Sequence, residues 1–217
     1  MSFIIWQYPE QWFSFKRENM ETGWWSRFWH GYRRWTEEGI SNVTGEVAKA
    51  MCGGAVAIYK EIGGTFGDIA ENRRFVAFMP EALYYFLHLL DRELSKATLI
   101  NIRTEALDNL LRVLCNHLYK IIYGLGFDVT DKQVFEIFQG QYNQRQIEYG
   151  SIGKDWFQRV TAQFGEHATD ALEPSEKVRH DVALKCGLLA PTIYGDLSSV
   201  LQNFLELARK RSRERII

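Results

Sequence analysis

Residues 107–122, LDNLLRVLCNHLYKII, decide the fold. Leu107, Leu110, Leu111, Leu114, Leu118, Ile121 and Ile122 recur at three and four positions, the period that gathers apolar side chains on one face of an α-helix. Gly124 and Gly126 follow, and a residue free to take positive φ ends a helix well. Strand-like alternation is absent from the chain.

The same spacing extends in both directions. Thr130 and Gln133 make a capping box, in which hydroxyl and amide satisfy the free N–H groups of a first turn. The helix it opens carries Val134, Ile137, Phe138, Tyr142 and Tyr149 to a stop at Gly150. Ser151 is expected to cap a short helix with Trp156, Phe157, Val160 and Phe164, ended by Gly165, and residues 166–173 to form a mobile polar loop. Pro174 is expected to open a helix burying Val178, Val182, Cys186 and Leu189. Pro191 opens the last, with Leu197, Val200, Leu201, Phe204 and Ala208 inward. Toward the N-terminus, Pro80 is expected at the first position of a helix with the stripe Leu83, Phe86, Leu87, Leu90 and Leu94. The fold class is therefore all-α: a helical bundle of about six helices joined by short loops, with an aromatic amphipathic N-terminal arm.

Composition agrees with a packed protein. The 217 residues are 46% hydrophobic and 24% charged, enough to bury a substantial core. With 26 basic against 27 acidic side chains, the chain has no bulk field to gather nucleic acid or anionic lipid. Cys52, Cys115 and Cys186 are widely separated, which suits buried thiols rather than disulfides or a Cys-rich zinc site. Met1 to Tyr8 lack a basic stretch and a small-residue cleavage site, so they make a poor secretory signal. No segment reaches the ~20 apolar residues of a membrane span. The expected location is cytoplasmic, with peripheral membrane attachment as the variant.

Composition shifts near residue 75, which suggests a region 1–75, aromatic and then glycine-rich, and a helical domain 76–217. Six of the seven tryptophans lie in the first 35 residues. Trp24, Trp25, Phe28, Trp29, Tyr32 and Trp35 fall within an arc of roughly 140° on a helix, with Arg27, Arg33 and Arg34 outside it. Such a face packs on the bundle itself, on another protein or second copy, or on a membrane surface, where rings and arginines suit the boundary.

From Gly45 to Gly67, six glycines invite a phosphate-loop reading, but neither GxxxxGK[ST] nor GxGxxG occurs. A stripe of Val47, Met51, Ala55, Ile58, Ile62 and Ile69 survives. The segment is expected to be interrupted at its two Gly-Gly pairs, giving a hinge; close helix contact through small residues is the alternative.

The most suggestive polar group is Tyr84, His88, Asp91 and Arg92, the first three on one helix flank, with Tyr142 or Arg145 of a neighbouring helix and His117 of the long one as further members. Such a set could serve as general acid or base or hold a metal or haem. The bland alternative is a histidine satisfied by polar contacts beside the core, and Glu-x-x-His spacing is missing. The basic run from Arg209 to Arg215 complements a helix dipole as readily as it would bind an anion. No catalytic residue, cofactor or metal follows from the sequence. The expected role is a non-enzymatic interaction or scaffold protein whose arm docks on another protein, another copy of itself or a membrane surface. Nucleic acid is not favoured. The alternative is a helical enzyme or a metal- or cofactor-binding protein built on His88.

Overall fold

The computed structural model describes residues 40–98, 100–152 and 156–214. They form seven α-helices and no strand: α1 (Ile40–Glu61), α2 (Ile69–Ala97), α3 (Ile100–Gly124), α4 (Asp131–Gly150), α5 (Trp156–Leu172), α6 (Glu176–Asp196) and α7 (Ser198–Glu214).

The hub is α2, which packs against α1, α3, α4, α5 and α7. Every residue from Phe78 to Asp91 is buried. A helix covered on all sides needs apolar residues all round, and only Glu81, His88 and Asp91 break that rule with chargeable groups.

Pro80 lies well inside α2 and not at its start, because the helix begins after Asp68, whose carboxylate accepts the Glu71 N–H at 2.8 Å. An internal proline leaves a carbonyl without its helical donor and costs about 3 kcal/mol. Burial of Phe75, Val76, Phe78 and Met79 around it outweighs that cost. The division expected between residues 75 and 76 falls inside this helix.

The glycine-rich segment also departs from expectation. α1 is continuous through Gly53 and Gly54, and the chain turns only at the second pair, with Gly63 at a φ of +94°. A Cβ on Gly54 would lie 3.0 Å from Ile193 and 3.1 Å from Phe86, so this glycine lets α1 approach α2 and α6 closely. Val47, Met51, Ala55 and Ile58 are buried in a core shared with the rest of the described chain, whereas Ile69 is exposed.

Two further boundaries move. α5 runs through Gly165 to Leu172, so residues 166–172 are helix and the connection to α6 is only 173–175. Thr169, buried, donates its hydroxyl to the Gly165 carbonyl at 2.7 Å. α6 continues through Pro191, and the last helix starts at Ser198. Val178, expected inside, is exposed, and Val182 and Leu189 are half-buried. The long α3, with Gly126 at a φ of +88° beyond it, and the capping box of Thr130 and Gln133 are as expected.

Candidate functional site

Glu81, Tyr84, His88, Asp91, Arg92 and Ser95 fall within roughly 100° of one another around α2. This polar flank faces α3 and α4, and its C-terminal half lines an open cleft of about 600 Å3 between the three helices. His88, Asp91, Arg92 and Tyr142 from the sequence reading stand together in that cleft.

Arg103 approaches Asp91 from the far side of the short α2–α3 turn. Its Nε and Nη2 donate to the two carboxylate oxygens at 2.5 and 2.6 Å. This side-on pair is the strong form of the contact. His88 is 3% exposed. Its Nε2 accepts from Arg92 Nε at 3.2 Å, and its Nδ1 lies 3.0 Å from Gln146 Oε1. Arg92 stacks over Trp156, 4.2 Å from the ring centre, a cation–π contact. Burial lowers the His88 pKa, opposed by the Gln146 hydrogen bond and reinforced by Arg92. The imidazole is therefore neutral at pH 7, with both nitrogens engaged. On the cleft wall, burial raises the Asp108 carboxyl, and Arg112 opposes it.

Three expected members sit elsewhere. Arg145 is buried in the seam between α2 and α4, gripping Glu81 with Nε and Nη2 at 2.9 and 2.8 Å and reaching Glu148 with Nη1 at 2.9 Å. His167 of α5 joins Glu148 at 3.0 Å. Tyr84 donates to Gln141 Oε1 at 3.0 Å and packs on Phe138. His117 is half-buried on α3, where burial and the nearby Lys120 and Lys49 lower its pKa; it does not meet His88. Arg103 and Glu81 were not singled out from the sequence. Glu81 continues the flank seven residues before His88, a readable signal. Arg103 becomes a partner only once the turn at residue 98 is known.

Other chemistry is muted. Burial raises the Cys52 and Cys186 thiols to about 12 and Cys115 as well, so none is a ready nucleophile. Among the described residues no three His, Cys, Asp or Glu side chains are grouped to hold a metal, and no helix is long and apolar enough to cross a membrane. Arg211, within the basic run, is buried.

The arm residues Trp24, Trp25, Arg27, Phe28, Trp29, Tyr32, Arg33, Arg34 and Trp35 lie outside the described residues. The described surface does show exposed apolar side chains on α6. Of α6's 21 residues only Cys186 and Ala190 are buried. Leu184 and Leu188, one turn apart on its outer side, are 54% and 65% exposed. Gly165 against Ala183 and Gly187 against Thr161 set α5 and α6 antiparallel. That register brings Phe157, 43% exposed, opposite Pro191 at the same end.

No protein-family model, curated protein or solved structure matches the chain. The described residues are all-helical, with a polar cleft on one side of α2 and exposed leucines on the outer side of α6.

Proposed function

We propose that the chain is a non-enzymatic helical interaction protein, and that its aromatic N-terminal segment docks on the outer side of α6 of a second copy. The observation that carries this reading is the exposure of Leu184 and Leu188 on a helix that hides only two of its residues. Apolar side chains adjoining on one helix face gain when a partner removes them from water. The chain carries its own source of such a partner, 39 residues ahead of α1 with six tryptophans. Tryptophan and arginine dominate interface hot spots, and Trp25, Phe28, Trp29, Tyr32 and Trp35 would form the buried face with Arg27, Arg33 and Arg34 at its rim.

Light scattering on the full chain tests this. A dimer or larger species that falls to monomer in both W25S/W29S and L184S/L188S, with helicity retained, supports the reading. A monomeric full chain contradicts it. Loss of folding in W25S/W29S would make the arm part of its own bundle's core. Association only with added vesicles or a second protein would reassign the partner.

A second reading, a helical enzyme or cofactor binder centred on His88, draws its support from the cleft that His88, Asp91, Arg92 and Tyr142 line. Occupation of both imidazole nitrogens weighs against a ligating or proton-transferring role in this state.

A further inference from the structure

The cleft between α2, α3 and α4 presents a half-buried cation with no carboxylate partner among the described residues. Asp91 is the adjacent acid, but Arg103 occupies both of its oxygens. Uncharged groups hold Arg92 instead, the Trp156 ring and His88. Because Arg92 Nε–H donates to His88 Nε2, that nitrogen carries no proton. The ring proton is on Nδ1 and is donated to Gln146 Oε1. With Oε1 so engaged, the Gln146 amide Nε2 is buried without a hydrogen-bond partner among the described residues. Lys96, one turn beyond Arg92 and exposed, lines the same cleft and has no ion pair among the described residues.

We infer that this cleft binds a small molecule carrying a phosphate group, with Arg92 and Lys96 supplying the charge. A guanidinium fixed on neutral supports keeps its outer N–H groups free to fork onto oxyanion oxygens and has little ordering left to undergo on binding. The volume, about 600 Å3, is that of a metabolite-sized site. The inference does not depend on the arm or on α6.

Titration calorimetry of the full chain with inorganic phosphate, at fixed ionic strength, tests it. Saturable binding is expected, weakened about tenfold or more in R92Q and to a smaller extent in K96Q, whose exposed position spares folding. K185Q, on α6, should bind as the parent does. No saturable binding, or equal binding in R92Q and K96Q, overturns the inference. Binding that emerges only in D155N would assign Arg92 to the chain's own carboxylate and overturn it too.

Discussion

A Cβ on Gly165 of α5 would stand 2.5 Å from the carbonyl oxygen of Ala183 in α6. Backbone cannot yield as a side-chain tip can, so this pair sets how closely the two helices pack. Alanine at 165 would gain about 1 kcal/mol of helix propensity and still lose more by forcing α5 and α6 apart. G165A is expected to lower stability by about 1–3 kcal/mol. Gly53, exposed in mid-helix with no described residue within 4 Å of a Cβ, should behave oppositely, G53A gaining about 0.5–1 kcal/mol. Urea unfolding midpoints check the two signs.

Arg145 and Glu81 form a buried ion pair, with Glu148 as a third member. Removing one partner leaves an uncompensated charge away from water, at a cost of about 3–5 kcal/mol. R145M should show that loss. E81L/R145M, which removes both, should recover much of it, because two apolar side chains need no counter-charge. A double-mutant cycle by urea unfolding reads the difference.

Acid should loosen the fold before carboxylates titrate. Burial lowers the His88 pKa below its ordinary 6.5, with Gln146 and Asp91 opposing and Arg92 and Arg103 adding to the shift. His167 shifts the same way, again chiefly from burial. Between the ordinary and the lowered value the unfolded chain holds more protons than the folded one. Stability therefore falls as pH drops below about 6.5 and flattens once the folded histidines are protonated. Protonated His88 would also set an N–H against that of Arg92. Unfolding midpoints across this window should slope less in H88Q.

Leu184 and Leu188 distinguish a docking surface from an idle one. Replacing exposed leucines within a monomer changes stability by no more than about 0.5 kcal/mol. L184S/L188S is expected to leave the urea midpoint measured at high dilution within that margin, while shifting the mass in solution toward monomer at higher concentration.

Much of the fold was written locally. The leucine stripe of α3 with Gly124, the Thr130–Gln133 box and the stop at Gly150 are all decided within a turn or two of chain. Pro80, Gly165 and Pro191 misled for one reason: each is a helix breaker by local rules, and each is overridden by packing from elements distant in sequence. Of the site, the flank of α2 was legible because helical spacing alone aligns Tyr84, His88 and Asp91. Arg103 was not, because its meeting with Asp91 depends on how α2 and α3 fold back on each other. His117 shares the helical spacing of the core but turns toward α1, a choice made only by tertiary packing.

If the aromatic segment docks on α6 of another copy, as proposed, lysines on the two should come within reach of a cross-linker. Lys16 lies in that segment and Lys185 is exposed on α6, one residue from Leu184. Equal amounts of nitrogen-14 and nitrogen-15 protein, mixed, cross-linked through lysine and analysed by mass spectrometry, report which copy supplies each end. Docking between copies should give Lys16–Lys185 cross-links that join one light and one heavy peptide. Cross-links found solely within single-isotope pairs would place the segment on its own chain and contradict it.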